Sequence, residues 1–266
     1  MSGSAPETEI DSEARTVDAF HRGDFWVAQP ASRGHRSGVD AMMLAAAVPG
    51  SFAGRLADLG AGAGAAGLAV ASRCPLATVL LVERSPQMAR FARESVALPQ
   101  NRRIAGRAGV LEGDVSLTGK ARIAAGLEDA AFDFAIMNPP FNLGHDRATP
   151  HALKKEAHVM EEGLLEAWIR TAGAIVKPRG GMAIIARPQS LGVILDAMHG
   201  RFGDARIVPV HPRPQEIAIR AIVRAVRGSR KALSFHPPLV LHADTGSGLS
   251  RRAEMVCNGQ LSLFGD

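Results

Sequence analysis

The sequence has little of what secreted or membrane-spanning proteins are built from. Its 266 residues hold only two cysteines, Cys74 and Cys257, far apart and in no metal-ligand spacing. No disulfide framework follows from them, and a reducing compartment fits. No apolar run approaches the roughly 20 residues that cross a bilayer. The opening MSGSAPETEIDSEAR is polar and acidic, unlike a secretory signal with its basic start and apolar centre. The expected address is the cytoplasm, with no membrane partner. Acidic residues are also in deficit, 26 against 31 Lys and Arg, which leaves a net charge of +5. That permits an anionic partner such as nucleic acid without requiring one. What is present is ordinary for a globular chain and sufficient for one full-sized core.

Residues 1–15 read as a disordered lead-in, 16–242 as one folded domain, and the Gly/Ser-rich 243–266 as a flexible tail. From Ala57 onward, strand-like and helical segments alternate. ATVLLVE (77–83) reads as a strand, SPQMARFARESVAL as a helix, AGVLEGDV as a third strand and FDFAIM (132–137) as a fourth. GLLEAWIRTAGAIV is a helix, and RGGMAIIARP a turn into a fifth strand. Such alternation predicts an α/β fold, a doubly wound and mostly parallel sheet with helices on both faces. ARIVPVHP and IAIRAIVRAV then follow with no helix between them, which predicts an antiparallel hairpin at one edge.

Two stretches carry the chemistry. DLGAGAGAAGLAV (58–70) follows the first strand and contains two overlapping glycine sets. Gly62, Gly64 and Gly67 have the spacing of a dinucleotide fingerprint, and Glu83 ends the next strand where a ribose-binding acid is expected. Gly60, Gly62 and Gly64 form a second set directly after Asp58. In AIMNPPFN (135–142) a buried-type strand runs into Asn138 and two prolines. Proline ends a strand ladder and has no N–H, so acceptor carbonyls are left without strand partners, and Asn138 adds a side-chain acceptor.

Asp-x-Gly-x-Gly-x-Gly resembles the first motif of class I S-adenosylmethionine-dependent methyltransferases, and NPPF (138–141) resembles the catalytic motif of the members that methylate planar nitrogen. The upstream Gly38, Val39 and Asp40 and the apolar HRSGVDAMMLAAAVP around them resemble a narrower group, the small-domain (MTS) enzymes typified by a bacterial tRNA(Val) adenine-N6 methyltransferase. The likeness covers about residues 25–240. It implies a Rossmann-like sheet of seven strands and an N-methyltransferase that uses S-adenosylmethionine, yields S-adenosylhomocysteine and needs no metal. Its implied donor contacts are Asp40, Asp58, Gly60, Gly62, Gly64, Glu83, Asp114 and Asn138, with Glu83 on the ribose hydroxyls and Asp114 near the adenine amine. Asp114 also suits a turn or cap, and Asp40 a helix N-cap. For catalysis, Asn138 and the Pro139 carbonyl would hold both amine hydrogens, and Phe141 would stack on the substrate. An NAD-type module leaves NPPF unexplained.

The substrate the resemblance favours is adenine N6 in tRNA or another structured RNA, with the side-chain amide of glutamine in a translation protein as the alternative. Arg147, Lys154 and Lys155 follow the catalytic turn as a basic lid or a charged surface, and His145, His151 and His158 match no common metal-ligand spacing. Arg220, Arg224 and Arg227 recur along a strand-like run and suggest a phosphate-contacting stripe. QLSLF near the end resembles the pentapeptide by which DNA-processing proteins dock to the sliding clamp, through Gln260, Leu261, Leu263 and Phe264. A tail folded back on its own domain is the other outcome.

Overall fold

The computed structural model describes residues 15–31, 38–140 and 151–266, with side chains of the last segment described from 163 onward. The first element is a hairpin of β1 (Arg15–Phe20) and β2 (Phe25–Pro30), joined by a turn in which His21 and Arg22 take positive φ. Two side chains complete the outer edge of β2. Asn101 accepts from the Trp26 N–H (2.8 Å) and donates to the Trp26 carbonyl (2.6 Å), and the Ser95 hydroxyl pairs with both backbone groups of Ala28. These groups stand in for a neighbouring strand, so the edge has no unpaired ladder to offer there. The sequence patterning did not anticipate this hairpin. Its partners are 67 and 75 residues away in the chain.

The remaining elements, in chain order, are α1 (Val39–Ala46), β3 (Gly54–Leu59), α2 (Ala65–Arg73), β4 (Ala77–Glu83), α3 (Pro86–Ala97), α4 (Arg102–Ala105), β5 (Ala108–Glu112), α5 (Gly119–Ala124) and β6 (Phe132–Met137). They continue with α6 (His151–Ile175), β7 (Val176–Ala186), α7 (Leu191–Met198), β8 (Phe202–His211), β9 (Arg220–Arg227), β10 (Ser234–Phe235), β11 (Leu239–Val240) and α8 (Arg251–Cys257). They form one nine-stranded sheet in the order β10-β8-β9-β7-β6-β3-β4-β5, with β11 also on β8. β10 and β11 are two residues each, which leaves the expected seven full strands. β3 to β7 run parallel. β9 is antiparallel to both β7 and β8, so the expected antiparallel hairpin is present at the sheet edge, where only the two-residue β10 and β11 lie beyond β8.

Strand alternation divides the buried side chains between two cores. On one face, Leu56 and Ile136 meet α1, α2 and α3; on the other, Ala57, Leu59 and Met137 meet α6 and α7. The expectation of a flexible tail from 243 is corrected. Val256 and Leu263 are buried in the α1 core, and Leu261 and Phe264 pack against it. The Leu263 N–H donates to the Ala46 carbonyl (2.7 Å). Gly/Ser content made the tail look loose, but a few apolar residues with an apolar face to cover are enough to dock it. Among the described residues, no helix is long and apolar enough to cross a membrane.

Candidate active site

Four parallel strands, β6, β3, β4 and β5, end side by side, and each carries a predicted site residue at or just past its C-terminal end. This is the edge where open α/β sheets bind ligands. After β3 the chain turns through Gly60, Gly62 and Gly64, with φ of +75°, +57° and +94°. Left-handed backbone of this kind is costly for residues with a Cβ. The three glycines differ in their surroundings. A Cβ on Gly60 would run into the Trp168 ring, and one on Gly64 would lie 2.7 Å from Leu81 Cδ1. A Cβ on Gly62 would meet nothing nearer than Met88 Cε at 3.8 Å. Gly60 and Gly64 therefore serve close packing, whereas half-buried Gly62 has room for a Cβ at ordinary contact distance. Gly67, from the rival dinucleotide spacing, packs α2 onto β4 through Leu81 and Val79.

The acids surround this turn at different depths. Asp58 is 1% exposed and accepts the Gly67 N–H at 2.8 Å. Burial pushes its pKa up to about 7; the Gly67 hydrogen bond opposes this and the Glu83 charge adds to it. The contact Asp58 shows is thus with the backbone of α2, bracing the turn from beneath. Glu83 sits at the mouth. One carboxylate oxygen accepts the Gly62 N–H (2.9 Å) and the other the Ser85 N–H (2.8 Å). Asp114 accepts the Ser116 N–H at 2.7 Å in a tight turn after β5. Burial would raise its pKa, but the hydrogen bonds from Ser116 and the nearby Arg84 charge hold it below the usual carboxylate range.

Asn138 follows the last residue of β6, and its side-chain oxygen is buried with no hydrogen-bond partner among the described residues. A buried acceptor left without a partner costs about 1–3 kcal/mol. Pro139 beside it is buried and Pro140 exposed. Phe141, His145 and Arg147 lie outside the described residues. Lys154, Lys155, His151 and His158 fall on the first turns of α6, where the side chains are outside the description. No group of metal-ligating side chains occurs among the described residues.

Three further expectations are corrected by the packing. The N-cap of α1 is Gly38; Asp40, within the first turn, instead accepts from Arg220 Nε at 2.9 Å. Arg224 is 6% exposed, donates to both carboxylate oxygens of Asp266 (2.8 and 2.6 Å) and stacks 4.3 Å over the Phe264 ring. Arg227 donates to the Val176 carbonyl. The arginines expected as an outward phosphate stripe thus serve the chain's own groups. β9 is interior and covered on both faces, and a cation there must be paired at home. The clamp-like QLSLF is likewise engaged internally, with Leu263 buried and Phe264 beneath Arg224. Trp168, which shapes the turn at Gly60, was not anticipated from sequence, and no local pattern marks it.

A family model described as the methyltransferase small domain matches residues 36–211. The chain belongs to this family. A solved structure, a predicted O-methyltransferase, protein Atu636 from Agrobacterium tumefaciens, is 44% identical and aligns over 84% of this methyltransferase and 97% of that chain, with TM-score 0.74. The T. thermophilus 16S rRNA N2 G1207 methyltransferase (RsmC), solved with AdoMet and guanosine, is 18% identical over 80% of this chain and half of its own, at TM-score 0.53. P. horikoshii TYW2, solved with MeSAdo, is 13% identical over 82% of this chain and 73% of its own, at TM-score 0.54. The last two share the fold. No curated protein matches the sequence.

Proposed function

We propose that this methyltransferase moves a methyl group from S-adenosylmethionine to a planar nitrogen, adenine N6 in tRNA or another structured RNA. The observation that carries the reading is the buried Asn138 oxygen just after β6, which has no hydrogen-bond partner among the described residues. When bound, the donor supplies an electrophilic methyl on a cationic sulfur. In this reading a nucleoside lies against the turn at Gly62, where a Cβ would meet no close contact, Glu83 takes the ribose hydroxyls and Asp114 the base. An exocyclic amine has its lone pair delocalised into the ring and is a poor nucleophile. Asn138 Oδ1 and the Pro139 carbonyl accept its two hydrogens, which orients the nitrogen and stabilises the charge that develops on it. A hydroxyl has one hydrogen for these two acceptors, so the pair suits nitrogen better than the oxygen named for the Agrobacterium relative. The product ammonium is acidic enough to release its proton to water, and no dedicated base is required. Phe141, next in the motif, would stack on the base.

A second reading, methylation of a glutamine amide in a translation protein, uses the same two acceptors. It gains from Arg220 and Arg224 being paired internally and from Ile217 and Ile219 being exposed just before β9, near the same edge. Purified enzyme with methyl-labelled donor, offered bulk tRNA, rRNA and a glutamine-bearing translation factor, separates the two readings. Label appearing as N6-methyladenosine in RNA digests supports the first. Label found only in the protein overturns it in favour of the second.

A further inference from the structure

The strand β9 grips α1 at both ends. α1 is eight residues long, about 12 Å at 1.5 Å per residue. Arg220 and Arg224 are four residues apart on β9, about 13 Å at 3.3 Å per residue. At one end Arg220 Nε holds Asp40, in the first turn of α1, at 2.9 Å. At the other, Arg224 Nη1 reaches the carbonyl of Ala47, just past the last turn, at 3.3 Å. Between the two arginines Ile222 is fully buried in the core that Ala41, Met42 and Leu44 of α1 fill, while Ala221, Val223 and Ala225 belong to the opposite core. The match between strand spacing and helix length sets α1 along one face of β9.

At the end of α1 the chain's own next turn serves two carbonyls, Ala47 N–H on Leu44 (3.0 Å) and Val48 N–H on Ala45 (3.2 Å), and groups from elsewhere add to these. Arg73 Nη1 serves Ala45 (3.0 Å) and Val48 (2.7 Å), the Leu263 N–H serves Ala46 (2.7 Å), and Arg224 serves Ala47. Arg224 is in turn fixed by Asp266 and Phe264. The other end of α1 lies toward the catalytic edge. Arg220 precedes Ala221, which pairs with Ala186 at the C-terminal end of β7, beside the β6 end that carries Asn138. α1 shares its core with Ala63, Ala65 and Ala66 of the glycine turn and of α2.

We propose that Arg220 and Arg224 are positioning residues for the methyl donor: they set the height of α1 on β9 and so hold its Asp40 end against the glycine turn. The C-terminal segment, through Asp266, is then part of the donor site's support. This rests on the Gly62–Glu83 turn being the donor site.

The test uses the full chain and S-adenosylhomocysteine as a stable probe, read by calorimetry, alongside steady-state kinetics. Arg220→Gln should raise the probe Kd and the donor KM roughly fivefold or more, the scale of ordinary coupling between sites. Its kcat should stay within about twofold, because the residue acts on binding and not on the transferring group. The melting temperature should stay close to wild type, since the Arg220–Asp40 pair is partly exposed. Arg220→Lys should recover most of the affinity. Asp266→Asn, which loosens Arg224 from its exposed side, should shift Kd in the same direction by a smaller factor. An unchanged Kd in Arg220→Gln or in Asp266→Asn overturns the proposal, as does a fall in kcat with KM unchanged. If folded wild-type protein does not bind the probe at all, the donor-site reading itself is overturned, a result no variant of β9 can mimic.

Discussion

The carboxylate of Glu83 accepts the amide N–H of Gly62 at 2.9 Å, joining the end of β4 to a turn 21 residues earlier in the chain. Of the turn glycines Gly60, Gly62 and Gly64, Gly62 is the one where a Cβ would meet no close contact, its nearest neighbour being Met88 Cε at 3.8 Å. Acid and bare backbone therefore meet at the same point, where a nucleoside would be read by both.

Glu83→Ala should weaken S-adenosylmethionine binding by about 1–3 kcal/mol, the usual cost of leaving polar partners unpaired. Titration calorimetry checks this. Affinity within error of wild type would remove Glu83 from the site.

The two neighbouring glycines should separate packing from binding. Gly60→Ala forces a methyl into the Trp168 ring and should cost stability by about 1–3 kcal/mol of overpacking beyond the left-handed strain. Gly62→Ala carries only the strain, about 1–2 kcal/mol, but places its methyl where the donor would lie. We expect a modest melting shift with donor affinity lost for Gly62→Ala, and the larger melting shift for Gly60→Ala. Normal donor binding by the Gly62 variant would move the donor elsewhere.

Asn138→Ala should cut turnover roughly a hundredfold, like the loss of one preorganised polar contact at a transition state. Donor affinity should barely change, because in the proposed mechanism Asn138 acts on the acceptor, not as the donor contact the resemblance also implies. The melting temperature should not fall, because the substitution deletes a buried oxygen that has no partner among the described residues. Single-turnover kinetics and a thermal melt on one sample test both halves, and near-normal turnover would refute the mechanism.

Asp58 ties stability to pH. Its carboxyl titrates near 7 in the folded chain against an ordinary 3.8. Between these values the folded protein holds a proton that the unfolded chain has released, so the contribution is full below about pH 4 and is lost as pH rises through 7. Asp58→Asn keeps an acceptor for the Gly67 N–H and cannot titrate. Its stability relative to wild type should therefore improve between pH 5 and pH 8 in urea melts. A relative stability that stays flat from pH 5 to pH 8 would show that Asp58 is ionised throughout.

The readable parts of this protein are those whose partners are close in sequence. A glycine turn flanked by Asp58, an acid ending the next strand at Glu83, and Asn-Pro-Pro after a β-prone run each occupy a few consecutive residues. Backbone physics alone, positive φ and the missing proline N–H, specifies them. The strand-helix alternation places them on one sheet edge, so all are legible in the order of residues itself. Period-two spacing also puts Arg220 and Arg224 on one face of a strand, correctly. It does not say whether that face is open.

That is decided by contacts 180 residues apart for Arg220 with Asp40 and 42 apart for Arg224 with Asp266. The same holds for the tail, where Leu263 is buried only because α1 offers it a carbonyl and an apolar face. Sequence determined which local shapes could form and which chemistry they could hold, because those depend on neighbouring residues. Tertiary structure alone decided which cations face solvent and which face home, because burial belongs to the surface that arrives from elsewhere in the chain.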